Sequence, residues 1–291
     1  RDSENALENG MKAAQRLQSA DDASGAGRAH WIVACAHFAQ GRAEESRRAA
    51  KASLMLCRQV GDRYGIGNAL NSIGFTDVDI AEEIRHLQQA TQAFESAGYT
   101  DRGLVILSNL ANAYRELGLH HHAHRLLHDV VERSRGIGAN VTLTYALGIL
   151  VVEAMELGDL QEARVHLQEF ADRVPALGDR NMDQALAGCR GFLAAAEGDQ
   201  RAAVKHFRRG VAIARQAGNE SRYRTLLGKT YLLGGEPAAA LTATAKATAI
   251  HRAQSYAKPD GCTSQEIWWR HAQSLAINGK DQDAREALER A

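Results

Sequence analysis

A glycine recurs along this chain at a nearly constant interval. Gly61, Gly98, Gly138, Gly178 and Gly218 are separated by 37, 40, 40 and 40 residues. Each follows a segment with helical hydrophobic spacing, which is where glycine relieves the left-handed conformation that ends many helices. A period of this kind indicates repeated units, each of which buries its apolar face against its neighbours.

A second series of glycines lies between the first. It consists of Gly41, Gly118, Gly158, Gly198, Gly235 and Gly279. Each separates two segments of helical pattern, so the predicted unit is a helix, a tight turn, a second helix and a looser turn. The composition also favours helices, because the chain has only three prolines and only 5% of its residues are of the aromatic types that are common in β-sheets. We therefore predict an all-α fold.

Residues at fixed distances from the turn glycine repeat as well. Around Gly118, Leu110 lies eight positions back, Tyr114 four back and Ala123 five ahead. The recurring alanine fits a point where two helices cross closely. The pattern L-A-x-x-Y-x-x-x-G-x-x-x-x-A resembles the tetratricopeptide repeat (TPR), in the long variant of kinesin light chains and of helical sensor regions in bacterial LuxR-type and other ATPase-linked regulators and class III cyclases.

The resemblance implies a right-handed superhelical solenoid of about seven TPR-like helix pairs, with the first helix of each pair on the concave side. We predict a single repeat domain over residues 1–291, with a leading helix at 1–20. The predicted repeats are 28–61, 62–98, 99–138, 139–178, 179–218, 219–256 and 263–291. The chain begins without methionine and ends within the last predicted helix, so we expect a fragment of a larger protein.

Two segments depart from the repeat pattern. The second repeat is short at its internal turn and has Glu83 where the crossing alanine is expected, so its local geometry is expected to differ. Between the sixth and seventh repeats, Pro259 and Gly261 lengthen the connection. They predict a loop or a bend there.

Charge and cysteine content limit the class of partner. The 35 basic residues balance 35 acidic ones, so we expect no direct nucleic-acid binding and no membrane binding. The longest uncharged run, residues 140–152, is too short to span a bilayer. Cys35, Cys57, Cys189 and Cys262 show no C-x-x-C pairing. We interpret them as buried, reduced thiols of a cytoplasmic protein.

The sequence carries no recognisable enzyme motif. It has no Walker A, H-E-x-x-H or G-x-S-x-G sequence, and GIGNAL at 65–70 lacks the strand and the third glycine of a dinucleotide loop. We predict that this segment has no catalytic residue and needs no cofactor. An attached catalytic domain, such as a nucleotide cyclase or an ATPase, remains open.

Five of the twelve histidines lie between residues 120 and 128. His120, His124 and His128 are spaced to share one helix face, and three imidazoles can bind zinc or nickel. A functional site usually adds a carboxylate or thiolate and orienting partners, for which Asp129 is the nearest candidate. We interpret the cluster as the polar face of an outer helix and predict no metal.

Amide side chains on the first helices form the candidate binding site. ALNSIG contains Asn71 and Ser72, and LSNLANAY contains Asn109 and Asn112 at comparable points of the next repeat. An asparagine amide both donates and accepts, so a row of amides can hold an extended peptide backbone. These segments resemble the LNNLA segments of kinesin light chain repeats, which implies a peptide-binding groove.

Charged and aromatic residues extend this candidate site. Arg115, Arg222 and Lys229 fall at positions expected to face the same groove, where they would meet an acidic group of a ligand. Trp268 occupies a packing position of the repeat and is predicted to lie in the core. Trp269 beside it is predicted to face the groove as an aromatic anchor.

These features predict a non-catalytic domain that binds a protein or an extended peptide in its concave groove. It would serve as the sensor or scaffold arm of a larger bacterial signal-transduction or transcription-regulatory protein. Two alternatives remain open. A small-molecule sensor would use a pocket lined by Trp269, Phe192 or Tyr145, and a homo-oligomerisation module would form a homodimer with the groove filled by a second copy.

Overall fold

The structure, a computed structural model, describes residues 2–77, 79–214, 217–256 and 262–291. These described residues form a leading helix and seven helix pairs, without a strand, so the all-α solenoid prediction is confirmed. The fifteen helices are α1 (Asp2–Ser19), α2 (Ala23–Ala39), α3 (Ala43–Gln59), α4 (Arg63–Gly74), α5 (Ile80–Glu95), α6 (Thr100–Glu116), α7 (His120–Ile137), α8 (Asn140–Glu156), α9 (Leu160–Leu177), α10 (Arg180–Ala196), α11 (Gln200–Ile213), α12 (Ala217–Leu233), α13 (Pro237–Ala253), α14 (Ser264–Ile277) and α15 (Asp281–Leu288).

The chain divides into two compact units, Arg1–Glu153 and Ala154–Ala291. In the first unit, Leu70, Leu87 and Phe94 belong to a core that consecutive helices share. In the second unit, Phe207 and Tyr223 belong to the corresponding core. Each helix pair therefore buries its apolar face against its neighbours in sequence, as a repeat fold requires. The single domain and its repeat boundaries remain predictions.

The turn glycines end their helices as predicted, with one exception. Every glycine of the two series other than Gly218 has a positive φ, from 59° at Gly178 to 83° at Gly158. Gly218 lies in the first turn of α12, so the prediction of a turn there was wrong. The reason is that α11 already ends at Ile213, and the next residue, Ala214, leaves the helical conformation with a φ of −54° and a ψ of 122°.

The second helix pair replaces the glycine turn with a polar one. Its first helix, α4, has only 12 residues and ends at Gly74. After it, the buried Asp77 carboxylate lies 2.7 Å from His86 Nδ1 and 3.4 Å from an Arg47 guanidinium nitrogen. Arg47 also donates to the Thr76 carbonyl. Side chains of α3 and α5 therefore hold this turn, and the expected difference in local geometry is found.

Replacing Asp77 with alanine is expected to lower the free energy of unfolding by about 1–2 kcal/mol, because Arg47 and His86 both lose a carboxylate that is shielded from water. Chemical denaturation followed by circular dichroism measures the loss. Asp129→Ala is the matched control, since Asp129 forms a surface ion pair with Arg133 and its loss is expected to cost less than about 0.5 kcal/mol. Equal losses in the two variants would contradict the role of Asp77.

The cysteine prediction holds in part. Cys57 and Cys189 are buried and Cys262 is half-buried, whereas Cys35 is exposed. The prediction for Cys35 was wrong because α2 buries the adjacent Ala34 and Ala36 instead. Pro259 and Gly261, which predicted a bend, lie outside the described residues.

The length and hydropathy of the helices bear on the membrane prediction. Within the part of the chain that the structure describes, no helix has the length and apolar character needed to cross a bilayer.

Candidate functional site

The first helices of consecutive pairs in the first unit carry a hydrogen-bonded row of polar side chains. Asn109 on α6 donates from Nδ2 to Asn71 Oδ1 on α4 at 2.9 Å. The Tyr145 hydroxyl on α8 donates to Asn109 Oδ1 at 3.2 Å. We call Asn71, Asn109 and Tyr145 the amide row. It joins three first helices, so two of the predicted site residues lie in direct contact.

The hydrogen bonds of the amide row mainly connect the helices to one another. Asn109 is only 5% exposed, and its amide oxygen and nitrogen are both engaged within the row. Ser72 is also buried, so it faces the packing between helices. Asn71 and Tyr145 are half-buried at the ends of the row. Only these ends are accessible to an approaching molecule.

Two further predicted residues continue along α6 from the row. Asn112 and Arg115 follow Asn109 at intervals of three, which places all three along one side of the helix. Both are half-buried, and neither makes a side-chain hydrogen bond or ion pair with another described residue. The Nε atom of Arg115 is buried without a hydrogen-bond partner among the described residues. The Asn112 amide and the terminal guanidinium nitrogens of Arg115 are therefore not engaged by another described side chain.

Polar pairs near the helix N-termini fix the spacing of the same first helices. Arg28 on α2 contacts Asp62, at the start of α4, with Nε 2.7 Å from Oδ2, and it holds the pKa of Asp62 down to about 2. Arg102 on α6 donates to Asn68 on α4. Sequence reasoning missed both pairs. The partners in each pair are 34 positions apart, which is shorter than the glycine period of 37–40 residues, so the period did not indicate either pair.

The remaining predicted site residues lie in the second unit, on α12 and α14. Arg222 is half-buried and Lys229 is exposed two turns further along α12. Trp269 is 41% exposed, and the guanidinium carbon of Arg270 lies 4.1 Å from its ring centroid. Trp268 is 2% exposed, so its predicted place in the core is confirmed.

Phe192, one of the aromatic residues of the small-molecule alternative, has a packing partner. Its ring lies 5.5 Å from that of Phe207, at an interplanar angle of 76°. This edge-to-face contact stabilises the core of the second unit. Phe192 is half-buried there, so much of its ring is occupied by the fold.

The histidine segment forms the first half of α7, and its predicted common face is divided. His120 Nδ1 lies 2.9 Å from Oε1 of Glu153, which is fully buried. His124 and His128 contact each other, with their Nε2 atoms 3.3 Å apart. The sequence shows Glu153 only as the charge that ends the uncharged run at 140–152. Its pairing with His120 depends on the packing of α8 and had no local signal.

One serine–histidine pair lies between α13 and α14. Ser264 Oγ is 3.1 Å from His251 Nε2, and Trp268 Nε1 donates to His251 Nδ1 at 3.1 Å. Because an indole nitrogen only donates, the neutral imidazole carries its proton on Nε2 and donates to the serine. In this tautomer the imidazole does not accept the hydroxyl proton, so the pair lacks the geometry of an activated nucleophile. It ties α14 to α13 instead.

Comparison with known proteins identifies the fold. No family model and no curated protein matches this sequence. A Rap protein complexed with Competence and Sporulation Factor is similar in structure, with a TM-score of 0.68 and 14% identity over 98% of this chain and 83% of that one. The apo form of RapI is similar with a TM-score of 0.59 and 13% identity, over 91% of this chain and 95% of that one.

A third similar structure is a Signal Transduction ATPase with Numerous Domains from Pyrococcus horikoshii, which has a tetratricopeptide repeat sensor. Its TM-score is 0.62 at 15% identity, over 90% of this chain and 39% of that one. This chain therefore corresponds to less than half of the length of that ATPase. At these identities the similarity establishes the fold alone, and that fold is the TPR-like one predicted from the sequence.

Proposed function

We propose that this chain is a non-catalytic repeat domain that binds a protein or an extended peptide along the first helices of its pairs. The observation that carries the proposal is the pair Asn112 and Arg115. Both side chains are half-buried beside the amide row and have no side-chain partner within the described residues. A helix face with available donors and acceptors next to a rigid row of polar groups suits the recognition of a peptide backbone.

Each part of this surface has a distinct task in the proposal. The Asn112 amide pairs with the N–H and C=O groups of an extended chain, while the Arg115 guanidinium meets a carboxylate or a backbone carbonyl. The amide row fixes α6 relative to α4, so little conformational entropy is lost when the ligand binds. One neutral hydrogen bond contributes only about 1 kcal/mol net, so binding requires several such contacts.

The proposal extends to the second unit and to the larger protein. Arg222, Lys229 and Trp269 supply further contacts for the same class of ligand. The domain acts as the sensor or scaffold arm of a cytoplasmic bacterial signalling or transcription-regulatory protein. Support comes from the similar Rap protein, which is complexed with a factor, and from the similar ATPase, in which a tetratricopeptide repeat serves as sensor.

A peptide library displayed on phage and selected on the intact chain tests the binding proposal. We expect selected peptides to bind saturably in fluorescence polarisation, and Asn112→Ala and Arg115→Ala each to weaken binding about tenfold, which corresponds to about 1.4 kcal/mol. Gln88→Ala and Arg58→Ala are matched controls, because these residues are an exposed amide and an exposed arginine on the second helices α5 and α3. They are expected to leave the affinity unchanged.

Asn109 is unsuitable for this test because its replacement breaks the amide row and disturbs the fold. Selection of no peptide, or equal affinities of the Asn112 and Arg115 variants and the controls, would contradict the proposal. A stable dimer in light scattering whose interface requires Asn112 and Arg115 would assign the same surface to a second copy of the chain instead.

A further inference from the structure

A cavity of about 290 Å³ in the second unit is lined by residues of α10 and α11. Leu186 and Ala187 are its apolar lining and are both buried. The polar lining residues are Asp183, Arg190, Lys205, His206 and Arg209. We call this site the basic cavity.

The three cations of the basic cavity have no ion-pair partner among the described residues. Arg190, Lys205 and Arg209 are exposed and make no side-chain hydrogen bond or ion pair with a described residue. Other arginines of the same unit have acidic partners, as Arg164 does with Glu197 at 2.7 Å. Three cations and the one acid of the lining, Asp183, leave an excess of two positive charges.

His206 indicates that these charges converge on one place. Burial lowers the pKa of His206, and Arg190, Lys205 and Arg209 lower it further, against an opposing effect of Asp199. Exposed charges act appreciably on a titrating group only over about 10 Å, because salt and water screen them. The three cations line the same cavity as this half-buried imidazole, so an anion placed in the cavity would gain from all three.

We propose that the basic cavity binds a small phosphate-bearing molecule. Two guanidinium groups and one ammonium group match phosphate oxygens with planar forks and a point charge. Leu186 and Ala187 provide an apolar surface for the carbon part of the ligand. Pockets for drug-sized ligands start at about 300 Å³, so the volume suits a small phosphorylated metabolite. This site is independent of the peptide-binding surface on α6.

The test uses inorganic pyrophosphate as the probe, titrated into the whole chain at constant ionic strength. We expect saturable binding in calorimetry and a rise in the pKa of the His206 ring, because a bound anion offsets the three cations. The ring signal is followed by nuclear magnetic resonance and assigned with His206→Gln. Arg190→Gln and Arg209→Gln are each expected to weaken binding about tenfold.

Lys246→Gln is the matched control, since Lys246 is an exposed cation of α13 outside the cavity lining. It removes the same charge from the same unit and is expected to leave binding unchanged. Circular dichroism verifies the fold of each variant. Absence of saturable pyrophosphate binding, or equal weakening by Lys246→Gln, would overturn the proposal. Tighter binding of hexaglutamate than of pyrophosphate would also overturn it, by assigning the cavity to acidic peptides.

Discussion

Replacing Gly210 with alanine is expected to lower the free energy of unfolding by about 2 kcal/mol, although alanine is the better helix former. In an open helix position the exchange would stabilise the protein by about 1 kcal/mol. At Gly210, however, the added Cβ would lie 2.4 Å from Cδ1 and Cε1 of Tyr223. Overpacking of a filled core costs about 1–3 kcal/mol, so the steric cost is expected to exceed the gain in helix propensity.

The Tyr223 ring has little freedom to move away from the added carbon. It is 3% exposed, and its hydroxyl donates to the Gln184 carbonyl at 2.7 Å. The Gln184 amide donates in turn to the Gly210 carbonyl at 3.2 Å. On the far side, a Cβ at Gly188 would lie 2.6 Å from the Tyr223 hydroxyl oxygen. The ring therefore occupies a slot formed by two glycines of adjacent helices.

Chemical denaturation of Gly210→Ala and Gly136→Ala, followed by circular dichroism, measures the difference. A Cβ at Gly136 meets no described atom within 4 Å, so this control is expected to gain up to about 1 kcal/mol. In a Tyr223→Ala background, the cost of Gly210→Ala should disappear because its steric partner is gone. A stabilising effect of Gly210→Ala in the wild-type background would show that the slot adapts.

The fold was predictable because the determinants of a repeat are local and recur. The crossing alanines Ala123, Ala163 and Ala203 are all fully buried, as their constant distance from a turn glycine predicted. Periodicity averages over several copies, so a single irregular copy does not hide the pattern. The periodicity gave a wrong prediction at Gly218, because the preceding helix, α11, ends five residues earlier at Ile213.

The sequence identified the amide residues of the candidate site but did not indicate how they pair, and their role in binding stays a prediction. Asn71 and Asn109 are recognisable as amides on successive first helices, whereas their mutual hydrogen bond depends on a helix spacing that no single repeat encodes. The GIGNAL segment shows the same limit. Its pattern partly matches a nucleotide loop, but a Cβ at Gly67 would lie 2.6 Å from the Phe94 ring. Close packing of helices therefore accounts for that glycine.

Acidification is expected to destabilise the second unit through His251. This side chain is fully buried, and burial lowers its pKa. Below the ordinary histidine pKa of about 6.5, the His251 ring is protonated in the unfolded chain but stays neutral in the folded protein. The contribution to stability is therefore complete above about pH 6.5 and falls as the pH decreases below it, by up to about 1.4 kcal/mol per pH unit. His206 and His271 have lowered pKa values for the same main reason and add to the effect.

Two substitutions separate the packing of His251 from its titration. His251→Ala is expected to cost about 3 kcal/mol at pH 7.5, because it leaves a cavity and removes the acceptor of the Trp268 indole N–H. His251→Asn keeps an acceptor oxygen near the position of Nδ1 and is expected to cost less. Both variants remove the titrating ring, so both should show a smaller loss of stability between pH 6.5 and 5.5 than the wild type.

Urea denaturation at pH 7.5, 6.5 and 5.5 measures the loss of stability with decreasing pH. Hydrogen exchange of peptides from α13 and α14 shows that the loss occurs in the second unit. Asp62, whose pKa is held at about 2, loses its contribution only below its ordinary value of about 3.9, so it does not interfere in this range. If the free energy of unfolding of both variants fell with decreasing pH as steeply as that of the wild type, the role of His251 would be contradicted. His251→Asn is expected to lose less stability than the wild type on acidification and to keep the exchange protection of α13 and α14. That result would show that the Trp268 indole N–H needs an acceptor at this position. It would also show that the imidazole ring causes the sensitivity to acid.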